Sequence, residues 1–327
     1  QKAASTQCDH PIVNNIYTTA STQCDHPIVN NIYATTQQGT HNIGSWWNPA
    51  KSCKQIKQNI LSSTNGIYYI HDNEIGIYSV YCNMDVAEGG WTLVASVHEN
   101  NMKGRCTTGD RWSSEQGNSA DHPHGDGFWE NMATHGSPVS ASSDDYKSPG
   151  YFSLQAQDIM IYHVPNDTPL HGFETKALFK YYTTSHFLTK YGGNLQQLFK
   201  VHYPIRSKVY NMGTDNGPAI PVTWERGNTN SIWNEIGTVI QAETEGGYVQ
   251  FRAVNHEKNV FSLCPGVRIK TGSGNVEHAC IGSTSNNIGH LHEEDYCGDY
   301  AARDWKWSAN VKSTETLIEA ATLIFYR

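Results

Sequence analysis

The chain has 327 residues, with 23 Lys and Arg against 31 Asp and Glu, and its formal charge of −8 gives no basic footprint for phosphate backbones, which excludes nucleic acid as the expected partner. No run approaches the roughly 18 to 20 consecutive apolar residues of a membrane-spanning helix, and no charged-then-apolar leader precedes Gln1, so the chain reads as soluble and already processed. Charged residues make up 17% and hydrophobic ones 38%, with 28 Gly, 18 Tyr and 9 Trp and few helical periodicities, which favours a loop-rich α+β protein of one or two domains.

The chain opens on a direct repeat: Ala4 to Tyr17 reads ASTQCDHPIVNNIY, and Ala20 to Tyr33 reads the same. Two such copies are too short to bury a core of their own, so residues 1–45 are expected to form an extended arm and a Thr- and Gln-rich linker. The arm carries Cys8 and Cys24. A globular domain is expected over 46–327, opening with Asn48 as helix N-cap and Pro49 in the first turn, followed by Cys53, Ile56 and Ile60 at helical spacing. Strands are predicted at Ile67–Ile70, Ile77–Cys82 and, after the Gly89-Gly90 turn, Trp91–Val97; further strands are predicted at Leu178–Thr183, Tyr248–Val254 and Thr322–Tyr326, with a short helix around Asn194–Lys200. Between them run long stretches rich in Gly, Asn, Ser, Asp and His, a composition that suits loops held by metals or disulfides.

The cysteines at 8, 24, 53, 82, 106, 264, 280 and 297 show no C-x-x-C pair of the zinc-ribbon kind, so disulfides and an oxidising, extracellular setting are expected. The Asn166-Asp167-Thr168 sequon agrees with secretion as a glycoprotein, although such triplets also arise by chance.

Ser52-Cys53-Lys54-Gln55-Ile56, Asn65-Gly66-Ile67-Tyr68, Val80-Tyr81-Cys82-Asn83-Met84 and Gly89-Gly90-Trp91-Thr92 together resemble the opening of a fibrinogen-related domain, over 46–105. LVASVHEN at 93–100, GDRWSS at 109–114, DDYKSPGY at 144–151, TDNGPAIP at 214–221, YVQFR at 248–252, LCPG at 263–266, NVEHACIG at 275–282, Cys297-Gly298-Asp299 and the closing Glu319 to Arg327 are similar to the intelectin, or X-type lectin, family. The resemblance implies a loop-rich α+β carbohydrate-recognition domain of fibrinogen-like and intelectin type, with twisted, mainly antiparallel sheets and short helices. It implies secretion, a role in innate immunity, and calcium-dependent binding of terminal exocyclic 1,2-diols on glycans, microbial ones above all. It also implies the pairs Cys53–Cys82, Cys106–Cys297 and Cys264–Cys280, with a further family pair absent because Met212 and Gly274 stand at its two positions. Cys8 and Cys24 then remain to link neighbouring chains into a homo-oligomer, or to bridge each other locally.

Residue by residue, the resemblance assigns Asn275, Glu277, His278 and Glu293 to the calcium ion that meets the glycan, with Glu277, His278, Glu293 and Trp305 facing the sugar. An amide oxygen, a carboxylate and an imidazole within four residues form such a donor set, although alone they are more often a solvated turn. The interval from Cys280 to Cys297 is longer than the family's usual one, which leaves Glu294 as the alternative to Glu293. Asp299 matches a structural calcium ligand. Further calcium ions are expected at His98, Glu99, Asn101, Gly104, Gly109, Asp110 and Asp145, where Asn101 replaces the usual Asp. The family's second aromatic wall falls at Val311, and Trp307 is a possible substitute. Because an imidazole must be neutral to hold a metal, binding is expected to fail in mild acid. Without a metal, the same clusters would be solvated loops.

Two other function classes stand beside the lectin. His278, His290 and His292 with Glu293 supply ligands for a zinc-dependent hydrolase, but H-E-x-x-H, G-x-S-x-G and phosphate-binding glycine patterns are all missing, so a non-enzymatic protein is expected. The duplicated arm also suits a structural mucus or egg-coat glycoprotein. Metal content separates the three: calcium, zinc with turnover, or none.

Overall fold

The computed structural model describes residues 41–98, 112, 129–205, 210–236, 243–255, 260–270, 279–284, 301–302, 312–313 and 320–327. The chain divides into a unit of residues 1–40 and a unit of 41–327. The first unit, with both repeats, Cys8 and Cys24, lies outside the described residues.

The first helix, α1, spans Cys53–Asn59 and is capped by Ser52, whose hydroxyl accepts from the Gln55 amide. The expected start at Asn48-Pro49 is therefore corrected by four residues. The reason is that Ala50 is committed to the sheet: its amide donates to Tyr69 O at 3.1 Å and its carbonyl accepts from His71 N at 2.8 Å. A residue bonded that way cannot also begin a helix.

Sixteen strands follow among the described residues: β1 Gly66–Asp72, β2 Gly76–Asn83, β3 Trp91–His98, β4 Tyr146–Lys147, β5 Ile159–Pro165, β6 Phe179–Tyr182, β7 Ala219–Pro221 and β8 Thr223–Arg226 in the first part. The second part contributes β9 Thr244–Gly246, β10 Tyr248–Val254, β11 Val260–Cys264, β12 Val267–Ile269, β13 Ile281–Thr284, β14 Ala301–Ala302, β15 Lys312–Ser313 and β16 Ala320–Tyr326. The predicted strands at 67–70, 77–82, 91–97, 178–183, 248–254 and 322–326 all fall on observed ones. The predicted helix around 194–200 is a single turn at Leu195–Gln197, capped by Asn194 and continued by a wider turn over Leu198–His202.

The main sheet is antiparallel in the order β1-β2-β3-β16-β5-β6-β8, with β4 beside β3, and a smaller antiparallel sheet runs β13-β11-β10-β7. Helices are few and short, so the described part is a loop-rich α+β fold with mainly antiparallel sheets.

The last strand of the chain lies in the middle of the main sheet, and it is buried on both faces. Its alternate residues feed two cores: Ala320, Ile324 and Tyr326 join the larger one, Ala321, Leu323 and Phe325 the smaller. Next to it, β5 does the same with Ile159 and Ile161 on one side and Met160, Tyr162 and Val164 on the other. In β3 the pairing shifts register, with Ala95 opposite Ile324 and Leu93 opposite Phe325, so Val94 is an extra residue. That bulge turns Leu93 to one core and Ala95 and Val97 to the other, and the Val94 carbonyl accepts from the Ser148 amide and hydroxyl at 2.8 and 3.1 Å. A third cluster packs α1 on β1 and β2 through Ile56, Ile70, Val80 and Met84, around the Cys53–Cys82 disulfide.

Candidate functional site

Four segments meet at one end of the main sheet. His98 closes β3 opposite Ala321 of β16, and Pro165 closes β5 opposite Ala320, so the turns that follow β5 and precede β4 share that end. The turn before β4 is held by bonds within itself, with Asp144 N donating to Ser140 O at 3.0 Å and Asp145 N to the Asp144 carboxylate at 2.8 Å. Asp145, only 6% exposed, accepts the His98 amide on Oδ1 at 2.8 Å. A carboxylate thus fixes the main chain at the point where β3 runs out into residues 99–111.

Asp167 enters from the turn after β5, in a left-handed conformation (φ 58°), its amide bonded to Ser142 O at 3.0 Å. Thr168 anchors the same turn: its hydroxyl donates to Pro165 O at 2.6 Å, and its carbonyl accepts from Ser142 Oγ at 2.5 Å. Burial lowers the pKa of His98, and the negative charges of Asp144 and Asp167 oppose that shift. His98 is therefore a half-buried imidazole in the field of nearby carboxylates. Hard carboxylate oxygens of this kind fit a Ca²⁺ ion better than a soft one.

Of the residues expected to hold structural calcium, His98 and Asp145 are brought together here. Glu99, Asn101, Gly104, Gly109 and Asp110 lie outside the described residues. Among the described residues, no three His, Cys, Asp or Glu side chains close on one point as a metal cluster does. Asp144 and Asp167 were not singled out in the sequence. Asp144 directly precedes a named residue, and Asp167 is the middle of the sequon, whose Asn166 amide oxygen is buried.

The residues expected at the glycan, Asn275, Glu277, His278, Glu293 with its alternative Glu294, and Trp305, lie outside the described residues, as do Asp299, His290, His292, Trp307 and Val311. Their surroundings are described in part. The segment that follows His278 is tied down by the Cys264–Cys280 disulfide at the end of β11, and then by β13, whose Gly282 carbonyl accepts from Ser262 Oγ at 2.8 Å. Gly282 is left-handed at φ 69°, and a Cβ there would stand 2.3 Å from Trp129 Nε1. The stretch with Trp305 and Val311 is bracketed by the antiparallel pair β14 and β15, with Ala302 opposite Lys312.

The pairs Cys53–Cys82 and Cys264–Cys280 are both formed, whereas Cys106 and Cys297 lie outside the described residues. No described helix is long and apolar enough to cross a membrane.

No family model matches the chain. Among solved structures, it is similar to the fibrinogen-like globe domain of human ANGPTL6, at 12% sequence identity over 86% of this chain and 96% of that one, with a TM-score of 0.33. A likeness at that score carries no argument about fold or function.

Proposed function

We propose that the chain is a secreted, non-enzymatic lectin of the intelectin type, with a fibrinogen-like opening, that binds terminal exocyclic 1,2-diols of microbial glycans through bound calcium. The observation that carries this reading is the bond from the His98 amide to the buried Asp145 carboxylate, where the chain enters residues 99–111, whose sequence holds further oxygen donors. A carboxylate in such a place can serve a hard cation that staples adjoining segments together. In this reading Glu99, Asn101, Gly104, Gly109 and Asp110 complete the structural sites with His98 and Asp145.

At the glycan, Asn275, Glu277, His278 and Glu293 or Glu294 would hold one ion, and Asp299 would serve a structural one. A bound Ca²⁺ would accept about six to eight oxygen ligands, two of which a vicinal diol could provide in place of water. Trp305 walls the sugar with its apolar face. The Cys264–Cys280 disulfide and β13 restrain the donor segment at its C-terminal side, which limits the entropy lost when a ligand binds. Cys8 and Cys24 link chains into a homo-oligomer, so that weak single sites act together.

The test is a glycan array probed with the full chain in calcium and in excess chelator, beside His278→Ala and Glu293→Ala. Retention on diol-bearing glycans in calcium, lost in chelator and in His278→Ala, is the expected result. A loss in Glu294→Ala with normal binding by Glu293→Ala moves the ligand by one residue. Undiminished binding in chelator overturns the proposal, and stoichiometric zinc with hydrolysis replaces it by the enzyme.

A further inference from the structure

Trp46 and Trp47 occupy the two central positions of a tight turn, Ser45 to Asn48, closed by an antiparallel bridge between those two residues. Central turn positions ordinarily take Gly, Pro, Asn, Asp or Ser, because each eases the backbone through the bend. Two indoles there break that rule without joining the core: they are 41% and 59% exposed. A local rule broken with no packing gain points to function.

The turn is rigid. Gly44 N donates to Asn48 O at 2.8 Å, Asn48 Nδ2 to His41 O at 2.9 Å, and the Gly44 carbonyl accepts the Tyr69 amide at 2.8 Å, which pins the turn to the edge of β1. Gly44 is required for this approach. Its φ is 91°, and a Cβ would meet Ile56 Cδ1 at 2.7 Å and Tyr68 Cδ1 at 2.8 Å. Tyr69 meets the Trp46 ring edge-on, with centroids 5.4 Å apart at 88°, and His41 lies 5.9 Å from the Trp47 ring. The indoles are therefore held in place before any ligand arrives.

Size and charge select the occupant. Together the two indoles leave open about one tryptophan's surface, on the order of 250 Å², well under the roughly 800 Å² per partner of a stable protein interface. The stretch from His41 to Ala50 carries no Lys, Arg, Asp or Glu. A neutral ligand with a flat C–H face meets both conditions, and a pyranose ring is such a ligand.

We propose that Trp46 and Trp47 form a second, calcium-independent carbohydrate platform that stacks the ring face of neutral pyranose oligosaccharides. It uses none of the calcium-site residues, so the two sites fail separately. The test titrates the full chain, in excess chelator, with chitohexaose and cellohexaose, followed by tryptophan fluorescence and calorimetry. Weak binding by the parent is expected, reduced at least about tenfold in Trp47→Ala and Trp46→Ala and largely kept in Trp47→Phe, as stacking on an aromatic face requires. Thermal unfolding of Trp47→Ala should stay close to that of the parent, whereas Trp46→Ala should unfold slightly earlier through loss of its contact with Tyr69, both variants remaining folded at the titration temperature. No binding by the parent in chelator, or equal binding by the alanine variants, overturns the proposal. So does a result in which the alanine substitutions change only sedimentation or only binding to phosphatidylcholine vesicles, since the turn would then serve self-association or a bilayer surface.

Discussion

Replacing Asp145 separates its structural task from its proposed task as a calcium ligand. Its Oδ1 accepts the His98 amide at 2.8 Å, and the residue is 6% exposed. Asp145→Ala strands that amide and removes a charge-assisted hydrogen bond, which costs about 1.5–3 kcal/mol. Asp145→Asn keeps an acceptor oxygen and loses only the charge assistance, about 1 kcal/mol or less. Urea unfolding in chelator should therefore rank parent and Asn variant close together, with the Ala variant well below. Calcium at a hundredfold excess over its Kd stabilises a folded protein that alone binds it by about 2.7 kcal/mol. The parent should gain on that scale, and the Asn variant, short of one anionic ligand, less than half of it. An Asn variant that gains as much as the parent would refute the reasoning, leaving Asp145 as a cap for the end of β3.

Removing the Cys264–Cys280 disulfide as the double serine variant should cost about 3 kcal/mol by loop-closure entropy, given its separation of 16 residues, and removing Cys53–Cys82, 29 residues apart, slightly more; urea midpoints measure both. Phe325→Ala should destabilise by about 3–5 kcal/mol, because the ring lies between Tyr81 and Tyr162 in the smaller core; a loss under about 1 kcal/mol would show that the core closes over the gap. Burial raises the phenol pKa of Tyr78 to about 12 and that of Tyr151 and Tyr326 upward as well. A raised folded pKa gives stability that is complete below the unfolded value of about 10 and lost as pH rises through the folded one, so stability should fall between about pH 10 and 12, by roughly 3 kcal/mol from Tyr78 alone. The phenols of Tyr78, Tyr151 and Tyr326 should then ionise together with unfolding; their ionisation near pH 10 in protein that stays folded would contradict it.

How much could be read in advance depended on the signal each element carries. The strands at 66–72 and 76–83 were legible because β-branched and aromatic runs lie between Gly-rich turns, and the pairs Cys53–Cys82 and Cys264–Cys280 followed from the family resemblance. The strand at Ile159–Pro165 was missed: buried on both faces, it shows no alternation of apolar and polar residues, so its pattern resembles any short apolar run. The helix start was misplaced because Asn48-Pro49 is a sound local signal, and only pairing between Ala50 and the edge of β1 overrules it. At the candidate site the sequence supplied His98 and Asp145 as names. Their meeting with Asp144 and Asp167 depended on β16, the last segment of the chain, lying between β3 and β5, because only then do the ends of those strands and the turns beside them share one edge. Local propensity acts over a few residues, whereas that adjacency spans more than two hundred, and burying both faces of β16 is what enforces it.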